Sequence, residues 1–183
     1  MSLSVRLEVT VSQQEAADDP EVLARLYGPL VYKAAYRVLG DVTLAEDAQQ
    51  EVFLRLLQAP RKGVESWPAY LTAASARVAI DMLRRQQRWW RVLPQWLAQA
   101  PTTTPSAEHM GIQDQQAEQL RSAIARLPKQ QARCFGMRYL EGMEIGDIAR
   151  ALEISENNAG VILHRARRGL EAQLRETGTE ELQ

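Results

Sequence analysis

The stretch from Met143 to Arg175 constrains the fold most, because it sets a short helix, a tight turn and an arginine-rich helix in succession. Ile148, Ala149 and Leu152 give the first helix a single apolar face. Ser155 stands where a side-chain oxygen accepts first-turn backbone donors of the second helix. On that helix Ala159, Leu163, Ala166, Leu170 and Leu174 recur at helical spacing and are expected to face the core. The opposite face carries Asn157, Asn158, His164, Arg165 and Arg168, side chains that reach base edges and phosphates. This is the pattern of a helix-turn-helix reading a major groove. A basic, solvated helix closing a bundle is the alternative reading of the same residues.

A chain of 183 residues holds one ordinary domain or two small ones. Leu, Ala, Gln and Arg dominate, and such side chains lose little rotamer freedom in a helix, so an all-α fold is expected. Cys134 has no cysteine to pair with, which fits a reducing cytoplasm. No apolar run approaches a membrane span, and the first eleven residues lack a signal peptide's basic start and apolar centre. The formal net charge of −1 does not suggest nucleic acid, but the charges are segregated. Acids gather at Asp18-Asp19-Glu21, at Glu46-Asp47-Glu51 and in the tail, while arginines gather at 84–91 and 165–168. Separate basic stripes on a neutral chain imply local, weak DNA binding unless a larger partner helps.

Periodicity and punctuation divide the chain. Residues 1–19 read as a flexible leader. A helix runs from Pro20 to Leu39 and Gly40 ends it. Thr43-Leu44-Ala45-Glu46 reads as a capping box opening a second helix that buries Leu44, Ala48, Val52, Phe53 and Leu56 and stops before Pro60. After the loop Pro60–Ser66, a long helix from Pro68 to Val92 has Leu71, Ala74, Val78 and Met82 inside. Outside, Arg77, Arg84, Arg88 and Arg91 hold one stripe. Pro94 and Pro101-Thr102-Thr103-Thr104-Pro105-Ser106 mark a linker over 94–113. The second domain, 114–176, takes one helix up to Pro128, another from Lys129 to Leu140, and the helix-turn-helix pair; residues 177–183 form an acidic tail.

Two segments together resemble the extracytoplasmic-function sigma factors of bacterial RNA polymerase. Ala45-Glu46-Asp47-Ala48-Gln49-Gln50-Glu51-Val52-Phe53-Leu54-Arg55 is similar to the family's region 2.2. Leu127-Pro128, Arg138-Tyr139-Leu140-Glu141-Gly142-Met143, Asp147-Ile148-Ala149 and Leu163-His164-Arg165-Ala166-Arg167 are similar to its region 4. The resemblance covers about residues 20–92 and 114–175. It implies two small helical domains and a transcription initiation factor that carries out no covalent chemistry. The partners it implies are core polymerase, through a largest-subunit coiled coil and the flap region, promoter DNA, and an anti-sigma factor. It assigns Asp47, Gln50, Glu51 and Arg55 to polymerase docking, and Arg61, Lys62, Arg77, Arg84 and Arg88 to the melted −10 strand. The −35 duplex falls to Asn157, Asn158, Val161, His164, Arg165 and Arg168.

Several positions depart from the family pattern. Arg77 stands where Asn is common, Glu153 where the turn often has Gly, and Glu144 where a hydroxyl usually caps. Gly160, Val161 and Ile162 occupy places where relatives often carry Arg or Ser. Trp67 is expected to pack under the loop rather than stack on a base. For the segment Trp89–Leu97, packing against the second domain is preferred over docking of an inhibitor or stacking on melted DNA. An enzyme is disfavoured: His109, His164 and Cys134 form no nucleophile–base or zinc pattern, and no P-loop is present, so neither cofactor, metal nor small-molecule substrate is expected. A helix-turn-helix regulator acting without polymerase, and a degenerate relative that no longer opens promoters, are the alternative functions.

Overall fold

The structure, a computed structural model, describes residues 18–61, 63–92 and 112–180; among them all regular structure is helical. The first domain holds α1 (Pro20–Leu39), α2 (Val42–Gln58) and α3 (Trp67–Val92). The second holds α4 (Ile112–Arg126), α5 (Lys129–Phe135), a π-helical turn over Gly136–Leu140, α6 (Ile145–Leu152) and α7 (Glu156–Glu180).

Pro20 opens α1 behind an Asp19 cap, and Gly40 closes it in the left-handed conformation (φ 67°), a region that costs a Cβ-bearing residue energy. The cap of α2 differs from expectation. Asp41, not Thr43, supplies it, its Oδ1 accepting the Leu44 amide at 2.8 Å. The helix therefore starts two residues before Leu44, with Thr43 inside its first turn. Leu23, Val31, Val38, Val52, Leu56 and Leu71 pack between the three helices. The buried Ser75 hydroxyl donates to the Val31 carbonyl at 2.7 Å, pinning α3 to α1 without an unsatisfied donor.

The long helix α3 is buried on two sides rather than one. Ala73, Ala76, Ala79 and Ile80 are buried along with Leu71 and Val78, whereas Ala74 and Met82 are only partly so. The second domain causes this by packing on α3. Ala73 and Ala76 join Cys134, Met137, Ile148, Ile162 and Leu163 in one cluster. Ile80 lies so close to Gly136 that a Cβ there would sit 2.4 Å from its Cδ1. Full burial of a Leu or Ile is worth ~1.5–3 kcal/mol, against ~0–1 for an exposed ion pair. Apolar packing therefore contributes most to the seam, and polar ties set its register.

The helix expected over Lys129–Leu140 changes winding at Gly136, where the Glu141 amide donates to the Gly136 carbonyl (3.1 Å), five residues back. The wider turn brings Glu141 against α1. In α7, Leu174 is exposed where core was expected, and Ile162, at a place where relatives often carry Arg or Ser, is buried. The helix also continues to Glu180, through the start of the expected tail.

Two departures resolve locally. Glu144 makes no side-chain cap to α6. Glu153 takes the left-handed place (φ 56°) that glycine occupies at lower cost, and its amide still closes the helix onto Ala149 and Arg150. Glu153→Gly is accordingly expected to stabilise the protein by ~1 kcal/mol, read as an upward shift of the thermal midpoint.

Candidate nucleic-acid interface and docking face

The start of α7 is built as the sequence implies. The Ser155 hydroxyl accepts the Asn158 amide at 3.2 Å, fixing the start of α7. Ala159, Ile162, Leu163, Ala166 and Leu170 are buried beneath it. Asn157, Asn158, Val161, His164, Arg165 and Arg168 are all exposed, and their spacing holds them on one stripe. Nothing lies within 4 Å of where a Gly160 Cβ would be, so the helix surface there is bare. Together they present amides, an imidazole and two guanidiniums flanking one apolar side chain, a set able to read bases and hold phosphates.

A second exposed stripe lies on α2. Asp47, Gln50 and Arg55 are exposed and Glu51 is partly so, its Oε1 accepting from Arg55 Nε at 2.7 Å. Sequence reasoning missed Leu54, which is 50% exposed, one turn beyond Gln50 and Glu51. An apolar residue on a solvated stripe was the available signal, and it breaks the helix's inward pattern.

The arginine stripe of α3 is not the open track that its spacing suggests. Arg77 is half-buried and its Nη1 donates to the Ala151 carbonyl at 3.1 Å. Arg84 Nη1 donates to the carbonyls of Ala125, at 3.0 Å, and Leu127. Burial pushes the pKa of both guanidiniums below the ordinary value; Tyr70 opposes this at Arg77, and Arg88 reinforces it at Arg84. Both remain charged. Arg61 and Arg88 are exposed, while Lys62 and the Arg91 side chain lie outside the described residues. The physical reason is the second domain, whose α4 and α6 end against this face.

Trp67 packs beneath the loop as expected, buried edge-on to Tyr70, with its Nε1 donating to Asp18 Oδ1 at 2.9 Å. Asp18 Oδ2 also accepts the Gly63 amide at 3.4 Å, so a residue assigned to the leader fastens the loop. Trp89, by contrast, is 68% exposed; the Trp90 side chain and residues 93–97 lie outside the described residues.

The Cys134 thiol is buried and pushed up to about 11, opposite to the activation a nucleophilic thiol requires. Among the described residues no His, Cys, Asp and Glu group is arranged to hold a metal, and no helix is long and apolar enough to cross a membrane.

The fold and its exposed stripes define a two-domain helical protein carrying a helix-turn-helix. Residues 23–89 match the family Sigma-70 region 2, and residues 117–170 match Sigma-70, region 4. The chain belongs to the sigma-70 family, within its extracytoplasmic-function group of alternative sigma factors of transcription initiation. It is 25% identical over 172 residues to the ECF RNA polymerase sigma factor SigE of Mycolicibacterium smegmatis, covering 93% of this chain and 67% of that protein. It is 26% identical over 175 residues to BldN of Streptomyces coelicolor, covering 91% and 65%. To SigX of Bacillus subtilis it is 26% identical over 151 residues, covering 79% and 78%. The chain thus spans about two thirds of the length of SigE and BldN. A solved structure of the RsbN–BldN complex matches over 90% of this chain and 97% of that one, at 23% identity and a TM-score of 0.31.

Proposed function

We propose that this chain is a promoter-specificity subunit that docks on core RNA polymerase, reads −35 duplex with α7 and holds the opened −10 strand along α3. The observation that carries it is the pair of exposed stripes, on α2 and α7, each on a domain matched to its own sigma region. On α2, Asp47, Gln50, Glu51 and Arg55, joined by Leu54, form the polymerase face, directed at the largest-subunit coiled coil; the second domain meets the flap region. On α7, Asn157, Asn158, His164 and Arg165 read bases, Val161 meets a thymine methyl, and Arg168 holds phosphate. Arg61, Lys62, Arg77, Arg84 and Arg88 form the positive track for the single strand. The protein performs no chemistry itself, works in the cytoplasm with polymerase, and takes an anti-sigma factor as its inhibitor.

Arg165→Ala is expected to weaken binding to −35 duplex by ~1–3 kcal/mol and to relax base choice at one position. Competition among duplexes varied at each position checks this. Equal affinity and equal selectivity in the variant would remove Arg165 from the readout. One observation favours a second reading, a regulator binding duplex alone: α7 is open while Arg77 and Arg84 of the α3 track are tied to the second domain. Specific footprints by the protein without polymerase would support that reading.

A further inference from the structure

The carboxylate of Asp18 joins three parts of the first domain. Asp18 precedes Asp19, whose side chain accepts the Glu21 amide at 2.8 Å, and Pro20, so the capped start of α1 holds its backbone in place. From there Oδ1 accepts the Trp67 indole N–H at 2.9 Å, in the first turn of α3. Oδ2 accepts the Gly63 amide at 3.4 Å, in the middle of the loop. Gly63 is left-handed (φ 67°), with nothing within 4 Å of where its Cβ would be, so hydrogen bonding rather than packing holds the chain there. We infer that Asp18 is a positioning residue for the −10 strand: it clamps the loop so that Arg61 stands at the head of the α3 track. The inference rests on the proposed role of that track and names what sets its first contact.

Two donors meet at residue 18, so a carboxylate suits the place and an amide does not. Each carboxylate oxygen takes one N–H, whereas asparagine would turn its own NH2 towards one of the two donors. The indole N–H belongs to a buried side chain set edge-on to Tyr70, and leaving it without an acceptor is costly. Ser66 completes the junction. Its carbonyl accepts the Tyr70 amide at 3.0 Å and its hydroxyl accepts the Ala69 amide at 3.4 Å, so the loop enters α3 through a capped turn. Val64 packs against the core between the two anchored points. The clamp comes from outside residues 23–89, the stretch that matches Sigma-70 region 2.

What the clamp holds is one cation near another. Arg61 and Arg77 line the same cavity of about 230 Å³, together with Val64, Ser66 and Tyr70 of the clamped region. Burial lowers the Arg77 pKa, and the charges of Arg133 and Arg61 lower it further. Like charges repel, so a loop free to move would carry Arg61 away from Arg77. A phosphate between them reverses the sign of that interaction. Holding Arg61 in place beforehand spares the strand the ordering of the loop, which would otherwise weaken binding. Arg61 is exposed, so the clamp fixes its backbone without shielding its charge.

The test uses the full chain bound to core polymerase. Anisotropy of a fluorescent strand of about twelve randomised nucleotides reads strand binding, less the signal of core enzyme alone. Asp18→Ala should weaken strand binding by ~10-fold, and Asp18→Asn, which keeps one acceptor, by less. Both variants remove negative charge, so a simple charge effect would tighten binding instead. Arg61→Ala should weaken binding at least as much as Asp18→Ala. The double variant Asp18→Ala, Arg61→Ala should lose no more than Arg61→Ala alone, because one residue acts through the other. Capture of core polymerase and affinity for −35 duplex should stay at wild type, while the thermal midpoint falls by only ~2–4 °C. Asp18 variants that bind the strand as wild type or more tightly, beside a weakened Arg61→Ala, would overturn the clamp and leave the track standing. Losses that multiply in the double variant would overturn action through Arg61. Equal losses of polymerase capture and duplex binding would reduce Asp18 to a folding residue and overturn the inference. Wild-type strand binding by Arg61→Ala would remove Arg61 from the track, and the inference with it.

Discussion

Replacing Asp47 and Glu51 together with alanine is expected to weaken capture of core polymerase by roughly 100-fold. The magnitude follows from two charge-assisted contacts at ~1.5 kcal/mol or more each. The fold should not change, because Asp47 is exposed and the Glu51–Arg55 pair is an exposed i,i+4 pair worth ~0.3–0.5 kcal/mol. Titration of labelled protein with core enzyme, beside a thermal melt, separates the two effects. Normal affinity in the double variant would remove the α2 stripe as the docking face. Leu54→Ser supplies a graded comparison, since a half-exposed apolar side chain in a dry interface contributes through burial alone.

Ile148→Ala is expected to be among the most destabilising single truncations in the second domain. Its side chain is fully buried in the cluster that joins α6 and α7 to Ala73 and Ala76 of α3. Removing such a side chain costs ~2–5 kcal/mol, of which the unfilled cavity is a large part. For a chain of this size that lowers the thermal midpoint by roughly 5–15 °C. Duplex binding should fall with it, because α6 and α7 hold their mutual angle through this residue. Val161→Ala, at an exposed site, should move the midpoint by no more than ~0.5 kcal/mol equivalent while altering base preference. An unchanged midpoint for Ile148→Ala would mean that the helix-turn-helix is not packed as described.

Much of this architecture is legible in the chain itself. Pro20 and Gly40 bound α1, Ser155 caps α7, and the spacing of Ala159, Leu163, Ala166 and Leu170 settles which side of α7 is buried and which is left exposed. What escaped has definite causes. Asp41 and Thr43 are both competent caps two residues apart, and only the winding of the chain chooses between them. The π turn at Gly136 adds a residue to one helical turn, which shifts every later position and carries Glu141 to Arg37. Ala73 and Ala76 read as neutral on a helix, so the second buried face of α3 left no periodic trace. That omission concealed the docking of the domains and turned Arg77 and Arg84 from free cations into ties. Contacts between distant segments leave little mark on local pattern.

Initiation reconstituted from purified parts bears most directly on the role assigned to the chain. Core polymerase, genomic DNA and this protein would be combined, and transcript 5′ ends mapped against reactions with core enzyme alone. A promoter-specificity subunit predicts a set of starts that require the protein, share two upstream sequence blocks at fixed spacing, and vanish with the Asp47→Ala, Glu51→Ala variant. Random starts identical to those of core enzyme alone, from a protein that is folded and binds duplex, would contradict it.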